Sequence, residues 1–219
     1  MSNFLKQQFE ENNFKCTDID NEILLVEDFI NKEELDILLD IIATTPEEDW
    51  SIEYVTNLKR FCLEKFGRDD VDNLVAEGKF EITQNWNDKN LQITQYPIAQ
   101  IIHTRVDSLV RKVDSSLVLG GFGTLQRMQA KVQLKSHTDQ HTDPSIRYAA
   151  ILYLNDDYVD GELFFENLDI EVKPKPGSLL VFPGTDKYEH GVRHVGEGPI
   201  RYVVVGFIKV PDFYENNKY

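Results

Sequence analysis

Long apolar runs are missing from this chain. The most apolar stretches, Ile23 to Val26, Tyr148 to Leu154, Ser178 to Phe182 and Tyr202 to Ile208, fall well short of the ~20 residues a membrane-spanning helix needs. The start, Met1-Ser2-Asn3-Phe4-Leu5-Lys6, has no basic region leading into an apolar stretch, so no secretory signal and no membrane partner are expected. Cysteine is scarce: Cys16 and Cys62 are the two in 219 residues. A domain of this size needs no disulfide, and the two thiols lack the clustered spacing of a zinc site, so the expectation is a soluble, cytoplasmic protein. Positive charge is also short, with 23 Lys and Arg against 38 Asp and Glu and a net charge of −15. Such a chain repels phosphate backbones, which argues against nucleic acid as a partner. Arg127, Lys131 and Lys135 are the nearest approach to a basic patch and read as a solvated strand face. Repeats and low-complexity linkers are absent too, so residues 1–219 read as a single domain.

What is present changes character near residue 120. Glu22 to Phe29 reads as a strand leading into a cap at Asn31, followed by a helix from Lys32 with Glu33 and Glu34 in its first turn and Leu35, Leu38, Leu39 and Ile42 at helical spacing. Further helices are expected over Ser51–Phe66 and Asp70–Glu77. Pro97 opens the clearest one, with Ile98, Ile102, Val106, Leu109, Val113 and Leu117 as its apolar stripe and Gly120-Gly121 as its end. His103 lies beside that stripe and reads as a structural histidine. Residues 1–120 are therefore expected to be mainly helical.

From Thr124 the period becomes two. Short strands are expected at Leu125–Ala130, Tyr148–Leu154, Glu162–Phe165, Ile170–Val172, Ser178–Phe182, Gly191–Val195 and Arg201–Val210, separated by Gly, Pro and Asn-Asp turn signals. The fold class is α+β: a jelly-roll, double-stranded β-helix core over residues 121–213, with N-terminal helices packed on one face.

Chemistry enters with His137-Thr138-Asp139, followed 51 residues later by His190, with Arg201 a further 11 on. On a strand, residues two apart point the same way, so His137 and Asp139 can approach one ion together. Two histidines and a carboxylate can occupy one face of an octahedral metal and leave positions open, the ligand set of non-haem Fe(II) oxygenases; zinc and manganese accept the same donors. Arg201 offers a planar fork for a carboxylate.

The order of Arg147 to Asn155, Asp160-Gly161-Glu162-Leu163-Phe164-Phe165, Pro176-Gly177-Ser178-Leu179-Leu180-Val181-Phe182-Pro183, His190-Gly191 and Gly198-Pro199-Ile200-Arg201 resembles the 2-oxoglutarate- and Fe(II)-dependent oxygenases, most closely their prolyl 4-hydroxylase-like branch. The resemblance covers Leu125 to Ile208. It implies His137, Asp139 and His190 as iron ligands and Arg201 with Tyr153 on the distal carboxylate of 2-oxoglutarate. Cofactors would be Fe(II), 2-oxoglutarate and O2, with ascorbate as a candidate reductant. The reaction implied is hydroxylation of an unactivated C–H, foremost a proline in a peptide or protein substrate. Met128 stands where the branch tends to have an aromatic, and Lys131 where it tends to have glycine. The gap from His190 to Arg201 is also one residue longer than usual.

Alternatives stay open. His141-Thr142-Asp143 has the same chemistry as the first motif, although it leaves only three residues before Arg147. His194 competes with His190. A cupin-type metalloenzyme would turn His141 or His194 inward as a further ligand. A hydroxylase of another side chain or of a free amino acid, or a non-catalytic metal-binding β-helix, would keep the fold and change the function.

Overall fold

The two-residue period sorts side chains into two cores. In the computed structural model, which describes residues 2–52, 88–211 and 213, twelve strands form two antiparallel sheets. The larger sheet runs in the order β1 (Lys15–Asp20), β2 (Ile23–Glu27), β10 (Leu179–Pro183), β7 (Ile146–Tyr153), β12 (Arg201–Lys209), β5 (Val118–Met128), β4 (Asp88–Gln92), β3 (Ser51–Ile52). The smaller runs β6 (Leu134–His137), β11 (His190–Val192), β8 (Leu163–Phe165), β9 (Ile170–Val172).

On β7, Tyr148, Ala150, Leu152 and the following Leu154 face one core, and Ala149, Ile151 and Tyr153 face the other. Leu179 and Val181 of β10 oppose Leu180 and Phe182 in the same way. The outer core is closed by α1 (Ser2–Glu11), α2 (Lys32–Thr44) and α3 (Pro97–Val113), through Phe9, Leu38, Ile102 and Val106 among others. The inner core lies between the sheets. A central strand covered on both faces carries few polar residues, which is why β7 reads as a continuous apolar run. Each fully buried Leu, Ile or Phe in these layers contributes roughly 1.5–3 kcal/mol.

Local signals hold where they were strongest. Asn31 caps α2: its Oδ1 accepts from Glu34 N at 2.9 Å, and its own N donates to Glu34 Oε2 at 3.0 Å, a reciprocal capping box. Arg105 of α3 then donates to Glu34 Oε1 at 2.5 Å and to the Phe29 carbonyl at 3.0 Å, tying the two helices. Pro97 opens α3 as expected.

Two expectations are corrected. Among the described residues before 121, the three helices alternate with β1 to β4 and the start of β5, which extend both flanks of the larger sheet. The helix from Pro97 stops at Val113, since the Asp114 carboxylate accepts from Ser116 N at 2.9 Å and turns the chain; Gly120 and Gly121 lie in β5. Ser51 and Ile52 are a strand rather than the start of a helix. The remainder of the helix expected to Phe66, the one at Asp70–Glu77, Cys62 and Trp86 lie outside the described residues. Arg127, Lys131 and Lys135 do not gather into a patch: Arg127 is buried, stacked 4.4 Å over the Trp50 ring and paired with Glu47 at 2.5 Å. Among the described residues, no helix is long and apolar enough to cross a membrane.

Candidate metal centre

Backbone pairing brings the first two site residues together. His190 opens β11 and sits directly opposite His137, the last residue of β6. Their rings lie 4.5 Å apart between centroids. Gly191 allows this approach, because a Cβ there would stand 2.5 Å from the Leu134 carbonyl oxygen and 2.7 Å from the Phe164 ring.

Asp139 arrives differently from the expectation. It does not continue the strand; β6 ends at His137 and the chain turns into the short α4 (Asp139–Thr142). That turn is held by Gln140, whose backbone N donates to the Gly184 carbonyl at 3.1 Å and whose side chain donates to the Ile146 carbonyl at 2.7 Å. Continued as strand, residues two apart would stand roughly 6.5–7 Å from each other along the chain, far for a short carboxylate. The turn instead places Asp139 Oδ1 3.7 Å from His137 Nε2 and Oδ2 3.9 Å from His190 Nε2. One ligand atom from each of the three residues lies within 4.8 Å of the others, so together they can hold one metal ion.

The tautomers fit that use. His137 Nδ1 is 3.0 Å from the Lys135 carbonyl and His190 Nδ1 is 3.0 Å from the Tyr188 carbonyl. A carbonyl only accepts, so each Nδ1 carries the proton and each Nε2 keeps its lone pair for the centre. Phe182 packs edge-on at 4.6 Å from the His190 ring, with Phe165 behind it at 6.1 Å. Burial in this apolar sleeve pulls the His190 pKa down to about 3, assisted by neighbouring His137. Burial likewise pushes the Asp139 carboxyl up to about 6, against the pull of His137. Asp139 Oδ2 is buried with no hydrogen-bond partner. A neutral imidazole pair and an unsatisfied carboxylate are what a divalent cation completes.

The second half of the site lies on the larger sheet. Arg201 begins β12 directly opposite Met128 of β5, and shares the inner face with Tyr153 of β7. Its side chain is 1% exposed. Nη1 lies 3.5 Å from Met128 Sδ, a weak acceptor, and Nη2 lies 3.5 Å from the Tyr153 hydroxyl, long for a hydrogen bond to oxygen. Nε has no partner, and no carboxylate among the described residues pairs with the guanidinium. Burial raises the Tyr153 pKa, and Arg201 opposes the shift. Tyr158, which the sequence reading did not single out, borders the same guanidinium with its ring centroid 5.8 Å from Cζ.

The remaining candidates are placed elsewhere. His141 is exposed and faces Asp186, with Nε2 3.0 Å from Oδ1. Asp143 accepts from Ser145 N at 3.0 Å, from Ser145 Oγ at 2.6 Å and from Lys209 Nζ at 2.8 Å, which makes it a tie between the turn and β12. His194 is exposed beyond β11, where its backbone carbonyl accepts from Gly161 N at 3.1 Å. The extra residue between His190 and Arg201 is absorbed in the connection from β11 to β12, and Arg201 keeps its register against Met128.

A jelly roll that gathers two histidines and a carboxylate, with Arg201 buried among residues of the same inner core, offers a candidate centre for one metal ion. Residues 123–209 match the family model of the 2OG-Fe(II) oxygenase superfamily. The description of that family names Fe(II) and 2OG. Prolyl 3-hydroxylase 2 of Homo sapiens is 34% identical over 73 residues, which are 31% of this chain and 10% of that protein. The Rattus norvegicus protein of the same name matches equally. The chain thus spans about a tenth of the length of these relatives. In fold it is similar to a prolyl hydroxylase from Trichoplax adhaerens, solved with a hypoxia inducible factor oxygen degradation domain peptide (TM-score 0.62, 15% identity, 100% of this chain and 93% of that one). It is also similar to the viral collagen prolyl hydroxylase of Paramecium Bursaria Chlorella virus-1 in its 2OG complex (TM-score 0.58, 13% identity, 87% and 97%).

Proposed function

We propose that this protein is a prolyl hydroxylase acting on a proline in a peptide or protein substrate. In this reading His137, Asp139 and His190 hold Fe(II), and Arg201 and Tyr153 hold the distal carboxylate of 2-oxoglutarate. The observation that carries it is Arg201: a guanidinium 1% exposed, without a carboxylate partner among the described residues, set against the same inner core as three side chains that can hold one metal. A protein with only a structural metal has no use for such a cation, and a structural zinc favours a closed four-ligand sphere. Proline is favoured by the sequence match to prolyl 3-hydroxylase 2 over 73 residues.

The bound iron would supply the oxidising chemistry, in which O2 gives one oxygen atom to succinate, as 2-oxoglutarate loses CO2, and the other to the hydroxylated carbon. The chain's own residues do the positioning. The two Nε2 lone pairs and the Asp139 carboxylate would hold the ion. Asp139 must be ionised to take part, and the cation offsets the desolvation that raises its pKa. Arg201 orients and neutralises the dicarboxylate without exchanging a proton. Phe165 and Phe182 exclude water around His190 and fix its ring.

The test is incubation of the protein with Fe(II), 2-oxoglutarate, ascorbate and a panel of proline-containing peptides. Succinate and peptide mass are followed, and fragmentation locates the added oxygen. Succinate formation coupled to hydroxyproline is the expected result. Oxygen on a residue other than proline would replace the substrate assignment with another side chain. No succinate with any peptide would remove the enzyme reading.

A further inference from the structure

We infer that Tyr158 is a third donor to the distal carboxylate of 2-oxoglutarate, acting beside Arg201 and Tyr153; this rests on the cosubstrate reading above. Tyr158 lies in the connection between β7 and β8 and is 2% exposed. Its ring is clamped: Lys173 Nζ sits 4.3 Å above it and donates to the Tyr158 carbonyl at 2.5 Å. Gly161, at φ +69, packs close to the ring, since a Cβ there would stand 3.3 Å from it. The hydroxyl therefore cannot swing out to water.

That hydroxyl is buried and makes no hydrogen bond of normal geometry. Arg201 lies alongside, its Cζ 5.8 Å from the Tyr158 ring and 5.3 Å from the Tyr153 ring. A guanidinium has donors only, so it cannot accept the Tyr158 proton. Arg201 Nε is likewise buried without a partner. The unsatisfied Nε of the guanidinium, the unsatisfied Tyr158 hydroxyl and the loosely held Tyr153 hydroxyl thus lie together, and the acceptor that would satisfy them is an anion with several lone pairs. A carboxylate has about four such sites. Phenylalanine would fill the same space with no buried polar atom, so the hydroxyl is the part of the residue that packing leaves unexplained.

The test is isothermal titration of Mn(II)-loaded protein, without turnover, using two ligands. 2-Oxoglutarate has the distal carboxylate; 2-oxopentanoate has the same keto-acid end and lacks it. Tyr158→Phe should weaken 2-oxoglutarate at least roughly tenfold, as for a hydrogen bond to a charged group. It should leave 2-oxopentanoate unchanged within about twofold, and it should melt no lower than wild type, since it removes an unsatisfied hydroxyl. Unchanged 2-oxoglutarate affinity, or equal losses for both ligands, would overturn the inference and make Tyr158 a packing wall. Binding lost in Arg201→Met but kept in Tyr158→Phe would overturn this inference alone. Wild-type protein that does not bind 2-oxoglutarate would overturn the cosubstrate reading and this inference together.

Discussion

Arg201→Met should make the ligand-free protein more stable while destroying its response to 2-oxoglutarate. The guanidinium is 1% exposed, unpaired with any carboxylate among the described residues, and held only by weak contacts to Met128 Sδ and the Tyr153 hydroxyl. A buried ion without a partner costs several kcal/mol. The faces of Tyr153 and Tyr158 offset part of this, about 0.5–2 kcal/mol each. A net penalty of roughly 1–3 kcal/mol remains, and methionine, of similar length and apolar, removes it. In a domain of this size that corresponds to a melting temperature about 3–10 °C higher. The assay is thermal unfolding of metal-loaded protein in carboxylate-free buffer, with and without 2-oxoglutarate. Wild type should gain about 2.7 kcal/mol when the ligand stands at one hundred times its Kd, and the variant nothing. A variant that melts below wild type without ligand, or shifts with 2-oxoglutarate as wild type does, would refute the view that this cation is stored for an incoming anion.

Metal affinity should fall as pH drops below about 6, by roughly tenfold per unit, because Asp139 must lose its proton to ligate while His190, with its pKa near 3, stays neutral throughout. The metal-free protein responds with the opposite sign at Asp139: its folded pKa is raised above the unfolded value, so the stability tied to the protonated form is present below about pH 4 and lost as pH rises to 6. Competition titration with a chelator between pH 7 and 5 reads the first effect, and a flat affinity would contradict it. His141→Ala should bind metal within about twofold of wild type, whereas Asp143→Ala should lose about 1–3 kcal/mol of stability through its contacts to Ser145 and Lys209. Loss of metal in His141→Ala would instead move the site to the second motif.

The parts of this fold that the sequence displays are those where one physical signal dominates. A reciprocal cap at Asn31, a proline at the first turn of α3, and alternation buried on both sides in β7 and β10 are strong local statements. The strands that escaped reading are polar edges or fragments. β1, Lys15–Asp20, is mostly exposed, and β6, Leu134–His137, has one aliphatic residue in four. The ligand set was legible as residue types and spacing, yet Asp139 reaches its position through a turn that depends on Gln140 contacting Gly184 and Ile146, residues far along the chain or beyond a loop. Lys131 shows how a departure from pattern can leave shape intact. It holds φ +71, the left-handed region where relatives tend to have glycine, and its N–H donates to the Val195 carbonyl at 2.8 Å. The backbone keeps its course at a steric cost of about 1–2 kcal/mol. Tyr158 carries no motif at all; only its burial against Arg201 distinguishes it from any aromatic in a loop.

The order of strands in the larger sheet bears on what a minimal version of this protein can be. The family-matched segment, residues 123–209, contains β10 and most of β5, but the strands that flank them, β2 and β4, come from earlier in the chain. Cut out alone, that segment would leave the margins of β10 and β5 with open backbone donors and acceptors, the arrangement that recruits other chains and aggregates. It would also lose Glu22, whose carboxylate accepts from the hydroxyl of Tyr188, the residue whose carbonyl fixes His190. The first hairpin is therefore both selvedge and scaffold: it finishes the weave on one side and, through Tyr188, steadies a metal-site histidine from outside the stretch by which the superfamily is recognised.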